Sequence, residues 1–405
     1  MLIKSTSYQI FFSGLIRIVG FFITALLFRI YSIEEIGEYF LLISILSVFS
    51  SVVYMGADKP LIRNNLTNQS NKEYKILKTR ILLSILCFPL FIIFSFTFIN
   101  QLPVLSLGLL SLTLLFNSFG FDYLLTAKKK ILELSILQFI SQMFIFVFFF
   151  YCFLNELKPN IAFHQLLITS LITLLILIYV KIKIDFKLKP IFKSKIISLN
   201  YFKRNNIIII SIFFISFISS IDFIMAKHIF NDYELGIISG VLRFSLLSFG
   251  FLTIINKTLF SYSVSSNFSN EYKQSSKKVS LLYNIISFLI LLILIYPYLK
   301  FVMNLDNVNF IILPALIITL SSILMPNFFL QLNYIESNDK NFSGFLYFIY
   351  SAFFIVMYYL IGVSLTIIFQ FENLYIYFSY LFLIKWILLN LLILNFKKKF
   401  ISGSS

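Results

Sequence analysis

Four ionisable residues stand inside apolar runs of this 405-residue chain: Arg17, Asp222, Arg243 and Lys385. A charge held in hydrocarbon is costly, so each of them is a candidate for function. Arginine presents a planar fork of N–H donors that matches phosphate oxygens two at a time. Arg17, Arg243 and Lys385 therefore point to an anionic ligand. Asp222 is the acid of the set, able to exchange a proton or Na⁺ or to pair with a nearby cation. Other chemistry is thin. The only cysteines, Cys87 and Cys152, each lie in an apolar run, which implies neither a disulfide framework nor a thiolate metal site. The only histidines, His164 and His228, fall at helix ends, where a lone histidine is more often structural than a ligand. No G-x-x-x-x-G-K-[ST] loop is present, so ATP is not hydrolysed by that route, and no H-E-x-x-H pair could hold zinc. No catalytic set, metal site or cofactor is expected, and the chain does not read as an enzyme.

The elements that hold these residues follow from composition. Hydrophobic residues make up 59% of the chain and charged residues 12%, with mean hydropathy +0.93. Soluble chains carry about a quarter charged residues. The net charge of +16 could suggest nucleic acid, but a chain with 52 Phe cannot be kept dissolved to meet it. Twelve apolar runs have the length of a membrane-spanning helix, which is about 20 residues. They cover approximately 8–29, 37–57, 80–99, 103–126, 134–154, 161–180, 206–227, 236–257, 280–299, 309–331, 342–368 and 374–395. Within hydrocarbon the backbone must satisfy its own hydrogen bonds, so these runs are helices. Membrane strands are excluded, because the runs are too long and do not alternate. Arg17 interrupts the first run and no small-residue cleavage site follows it, so it reads as an uncleaved helix rather than a signal peptide.

Charge fixes the topology. With the N-terminus in the cytoplasm, the inner segments hold 26 basic residues and the outer ones 4, Arg29, Lys158, Lys227 and Lys300. A missed or invented span would invert everything downstream of it, so the expected fold is all-α, with twelve spans and both termini cytoplasmic. The outer turns are short, and no segment could form a soluble catalytic domain. The longest inner segment divides six spans from six. It is basic and reads as an amphipathic stretch on anionic lipids. The expected division is a bundle over 1–182, a cytoplasmic linker over 183–205 and a second bundle over 206–399.

The halves echo each other. LLFRIYSIEEIGEYFLLISIL surrounds Gly37 and MAKHIFNDYELGIISGVLRFS surrounds Gly236, 199 residues later. Each has a helix end, an acidic outer turn and a new helix, both running the same way. Two parallel six-helix bundles related by an axis along the membrane normal are a transporter architecture, in which one bundle rocks against the other. By rise per residue, Arg17 lies about 15 Å deep in the first span, and Lys385 is near the midplane of the last. Asp222 lies about 24 Å along the seventh span from the inside, and Arg243 about 10 Å into the eighth from the outside. Asp222 and Arg243 thus share a depth. They are either a buried ion pair joining these spans, or a site in which Arg243 binds an anion and Asp222 exchanges a proton or Na⁺. Arg17 has no acidic residue at its own depth in the first half, which favours a water-filled cavity and an anionic ligand over a structural bond. Lys385 could instead snorkel. Lys59 and Arg63, at the inner end of the second span, either gather an anionic head group or simply anchor the cytoplasmic side.

GLIRIVGFFITALLFRIYSIEEIGEYFLL and YMGADKPLIRN resemble the opening two helices of polysaccharide flippases, members of the multidrug/oligosaccharidyl-lipid/polysaccharide (MOP) exporter superfamily. FGFDYLLTAKKKILELSILQFISQ resembles the fourth and fifth helices of that family. SSIDFIMAKHIFNDYELGIISGVLRF, with Asp222 and Arg243, resembles its seventh and eighth. The resemblance runs over most of the chain but contains no invariant catalytic word. One departure is the absence of the proline often found near the inner end of the eighth helix, since NKTLFSYSVSSN (256–267) has none. The resemblance implies a flippase in the bacterial inner membrane for an undecaprenyl-diphosphate-linked oligosaccharide, an O-antigen or capsule repeat unit. It also implies work alongside a polysaccharide polymerase and glycosyltransferases. The diphosphate would be held by Arg17, Arg243 and Lys385, and a cell interior at negative potential would drive each charge outward by about 2.3 kcal/mol per 100 mV. The alternatives are a multidrug exporter of the same superfamily, which would favour acidic cavity residues, and a membrane polysaccharide polymerase, which would need a large outer loop. Peptidoglycan-precursor flippases tend to have fourteen helices rather than twelve.

Overall fold

The computed structural model describes residues 2–54, 71–128, 130–184, 189–196, 199–245, 285, 288–321, 324–325, 343–369 and 373–402. Lys59, Arg63 and the segment 256–267 lie outside the described residues, as do the inner parts of the eighth and tenth expected spans. Among the described residues, all regular structure is helical. The chain divides into two compact units, Met1–Ser216 and Phe217–Ser405.

The first unit holds α1 (Leu2–Ile30), α2 (Ile33–Tyr54), α3 (Asn71–Phe96), α4 (Leu105–Ser118) and the short α5 (Asp122–Ala127). These are followed by α6 (Ile131–Leu154), α7 (Ala162–Ile184), the short α8 (Lys189–Lys193) and the start of α9 (Leu199–Ile229). The second unit holds the rest of α9, then α10, which begins at 232 and is described to 245. Next come α11, helical over 288–297 and closing in a π-helical turn at Tyr298–Val302, α12 (Asn309–Ser321), α13 (Ser343–Phe369) and α14 (Leu374–Ser402). Residues 189–193 and 199–205 of the basic inner stretch are thus helical, and the boundary between the units falls within α9.

Six helical stretches are long and apolar enough to cross a membrane among the described residues: Ile33–Tyr54, Tyr74–Phe96, Leu105–Thr126, Leu132–Leu154, Ala162–Ile184 and Leu374–Ile393. Their outward faces carry large apolar side chains. Leu86 is 62% exposed, Ile93 69% and, on α11, Ile293 74%. Such faces need lipid, so the chain is a multi-pass membrane protein. Buried hydroxyls are satisfied within their own helices, as where Ser84 donates to the Ile81 carbonyl, Thr113 to Leu110 and Thr319 to Ala315.

In the first unit α1 lies along α6, with Phe12 against Phe139 and Phe22 against Phe146. There α4 packs on α3 and α7. In the second unit α12 and α13 pack on α14. One boundary differs from expectation. Helix α3 begins at Asn71, not near 80, so Arg80 is a fully buried helical residue rather than part of the cytoplasmic loop. Its guanidinium donates to the carbonyls of Gly120 (3.4 Å) and Tyr54 (3.3 Å) and lies over the rings of Tyr54 and Tyr123. Carbonyl dipoles and ring faces are what let a guanidinium leave water.

The repeat is realised bond for bond at one helix–turn–helix of each unit. Ser32 Oγ accepts from the Glu35 amide, and Glu35 Oε2 accepts from the Ser32 amide, a reciprocal cap on α2. Asn231 and Glu234, each 199 residues on, make the same two bonds at the start of α10. Before the caps, the amides of Tyr31 and Phe230 reach the carbonyls of Leu27 and Ala226 at 3.0 and 2.9 Å. The same offset holds through the turn, so α2 and α10 are approached by one backbone design.

Ser32→Ala and Asn231→Ala each remove a cap worth about 1 kcal/mol, and their effects add because they lie in different units. Thermal unfolding of the detergent-solubilised protein checks this. Sensitivity at one turn and indifference at the other would break the equivalence.

Candidate functional site

The second unit gathers three helix faces around one ion pair. On α9, Asp222 and Met225 are three residues apart and share a face. On α13, Tyr358 and Gly362 do so at a spacing of four, as do Leu381 and Lys385 on α14. Gly362 permits the close approach, because a Cβ there would meet Met225 Sδ at 3.0 Å and Leu381 Cδ1 at 3.2 Å. Its carbonyl accepts from Tyr377 Oη at 2.8 Å, which ties α13 to α14.

At the centre Lys385 Nζ forms a salt bridge with Asp222 Oδ2, the two side chains being 0% and 3% exposed. Asp222 therefore pairs across to the last helix of the unit, not with its sequence neighbour in depth. Lys385 does not snorkel. Its ammonium also donates to the Ile218 carbonyl at 3.4 Å, one turn before Asp222, and faces the rings of Phe382 (4.8 Å) and Trp386 (4.9 Å). The other carboxylate oxygen, Asp222 Oδ1, is buried with no hydrogen-bond partner among the described residues, and so is Tyr358 Oη. Tyr358 lies within electrostatic reach of both Asp222 and Tyr377.

Arg243 is on α10, half-buried, with its guanidinium 5.3 Å from the centre of the Phe223 ring, next in sequence to Asp222. It also acts electrostatically on Tyr298, whose hydroxyl donates to the Gly240 carbonyl at 3.0 Å. Arg17 is half-buried on α1, in the first unit. The structure thus brings Asp222 and Lys385 together, sets Arg243 beside their neighbour Phe223, and places Arg17 in the other unit.

The sequence did not single out Glu38, Arg80 or Tyr358. Glu38 is fully buried near the start of α2 and accepts from the amides of Asn100, Gln101 and Leu102 at 2.6 to 2.9 Å. This nest of N–H groups stabilises its charge while pinning the α3–α4 turn. Nearby, Tyr31 donates to the Pro159 carbonyl at 2.7 Å. Burial foremost, then Cys152 and Glu35, pushes its hydroxyl above the usual tyrosine range. The two histidines each meet a tyrosine. His164 Nδ1 meets Tyr39 Oη at 2.6 Å, and His228 packs edge-on against Tyr359.

The chain matches no protein-family model and no curated protein. Solved structures do match it over nearly their full length. One, an inward-facing multidrug resistance MATE family transporter of the MOP superfamily, covers 98% of this chain and 99% of its own, with TM-score 0.59 and 11% identity. An outward-facing MATE transporter of the same description gives TM-score 0.60 at 12% identity, covering 98% and 96%. The fold is that of the MATE transporters. A third MATE structure, in complex with MaL6, gives TM-score 0.60 at 11% identity, covering 98% and 97%.

Removing one member of the buried pair strands a charge, at a cost of about 3–5 kcal/mol. Asp222→Asn and Lys385→Met should each lower thermal stability sharply, and the double substitution should recover most of the loss. A double variant as unstable as the sum of the singles would mean that the pair is not what these side chains contribute.

Proposed function

We propose that the chain is a secondary transporter of the MOP type that exports an amphipathic solute across the cytoplasmic membrane, with twelve spans and both termini inside. Likeness to MATE transporters over 98% of the chain carries this reading. The neighbouring structures are described as multidrug resistance transporters, so drug-like amphiphiles are the first substrate class. With no nucleotide loop in the sequence, an H⁺ or Na⁺ gradient supplies the driving force.

A second substrate class is favoured by the charges. A cationic drug needs uncommitted carboxylates, yet the two fully enclosed ones described are already engaged. Glu38 holds three amides and Asp222 holds Lys385. The half-buried Arg17 and Arg243 instead suit an anion, the diphosphate of a lipid-linked oligosaccharide, whose passage through bare hydrocarbon would be prohibitive. In this reading Lys59 and Arg63 gather the head group on the cytoplasmic side, Arg17 and Arg243 grip phosphate oxygens, and Lys385 acts through Asp222 rather than on substrate directly. The lipid tail stays in the bilayer.

Two assays separate the classes. A drug exporter lowers ethidium accumulation severalfold in cells lacking their own efflux pumps, and Arg17→Ala and Arg243→Ala leave that activity intact. A flippase restores surface polysaccharide in a flippase-deficient strain, and either substitution abolishes the rescue without loss of protein. Neither ethidium export nor polysaccharide rescue would sink both classes.

A further inference from the structure

We infer that Tyr298 is a positioning residue for Arg243, holding α10 at the turn from which that guanidinium departs. This role rests on the reading in which Arg243 grips phosphate oxygens, and adds what fixes the grip in place.

Three observations carry it. First, Tyr298 is 2% exposed and its hydroxyl donates to the Gly240 carbonyl at 3.0 Å, while its ring stacks on Phe244 with centroids 4.5 Å apart. Gly240 and Phe244 are one turn apart on α10, and Arg243 lies within that turn, next to Phe244. One tyrosine thus holds both ends of the turn that carries the arginine. Second, the tyrosine is itself fixed. It opens the π-helical turn Tyr298–Val302, where its carbonyl accepts from the Met303 amide at 3.0 Å. Asn304, at φ 57°, then enters the left-handed region that asparagine tolerates, and the Leu305 amide closes back on the Leu299 carbonyl at 3.2 Å. Single π-helical turns are rare and frequently stand at functional sites. Third, Arg243 acts electrostatically on Tyr298, and its guanidinium lies 5.3 Å from the centre of the Phe223 ring on α9.

The repeat shows what is particular here. At the offset of 199 residues the Gly240 carbonyl corresponds to that of Leu41, which takes a hydroxyl from Ser44 at 2.6 Å. Ser44 is the counterpart of Arg243. Where the second unit has an arginine in place of that serine, the hydroxyl comes instead from Tyr298 on α11. A carbonyl oxygen has two lone pairs, so Gly240 can take this proton beside a helical N–H. The bond does not touch the ligand. It acts on direction, because arginine carries its fork on a long stem, and the geometry at a phosphate depends on where the stem starts and what confines it. A misplacement on the order of 1 Å is enough to weaken an oriented contact severely. Phe223 confines the guanidinium from α9, and Tyr298 fixes the backbone beneath it from α11.

The probe is inorganic pyrophosphate, which carries the diphosphate chemistry without sugar or lipid tail. Thermal unfolding of the full-length protein in detergent is followed as pyrophosphate is added at constant ionic strength, which holds general screening fixed. The expected result is a saturable rise in melting temperature for the wild type, lost in Arg243→Ala. Tyr298→Phe keeps the ring stack, removes only the hydroxyl, and raises the half-saturating concentration about fivefold, the equivalent of one hydrogen bond. In an Arg243→Lys protein, whose ammonium has no fork to orient, adding Tyr298→Phe changes the half-saturation little. Tyr31→Phe is the control. It removes a comparable bond in the first unit, to the Pro159 carbonyl at 2.7 Å, and lowers stability without moving the half-saturation. If Tyr298→Phe shifts the half-saturation no more than Tyr31→Phe does, or shifts it equally with and without Arg243→Lys, the positioning role is overturned and the phosphate reading stands. A wild type that pyrophosphate does not stabilise, or stabilises equally after Arg243→Ala, overturns both.

Discussion

Hydrocarbon offers no hydrogen bonds, and most of this architecture follows from that. Backbone groups must pair within their own helix, so among the described residues regular structure is helical and hydroxyls turn back onto carbonyls one turn earlier. The same constraint governs charge. An enclosed ion must be matched where it stands, and the protein does so in three ways. Glu38 is matched by amides of a turn, Arg80 by carbonyls and aromatic faces, and Asp222 by a lysine. The first two hold a turn and a helix end in place.

What could be read from the sequence tracks how local each signal is. The acidic outer turns were visible because a cap is a matter of four residues, and Ser32–Glu35 and Asn231–Glu234 carry it in plain form. The Asp222–Lys385 contact was not visible, since 163 residues separate its members and depth alone favoured Arg243. Depth ranks residues along the membrane normal but says nothing about azimuth, and Asp222 faces α14. Arg80 was hidden by a span boundary, because polar residues at the start of α3 look like loop although they already belong to the helix. Glu38 did leave a signal. It lies one turn beyond the capping Glu35, between Gly37 and Tyr39 in an apolar run, where a carboxylate has no reason to be unless something meets it.

The repeat separates what folding needs from what chemistry needs. At the offset that superposes the two outer turns, Asp222 corresponds to Ile23, Arg243 to Ser44 and Glu38 to Ile237. All three counterparts are buried, at 1%, 5% and 0% exposure. The duplicated helix–turn–helix therefore folds with apolar or small residues at each of these places. A buried ion pair contributes little net stability beyond a well-packed apolar pair, because desolvation of the ions offsets their attraction. Ile23 shows that the helix before the turn can do without an acid at this position. The scaffold, then, does not explain Asp222 and Lys385. The symmetry belongs to the fold, and the Asp222–Lys385 pair to the second unit.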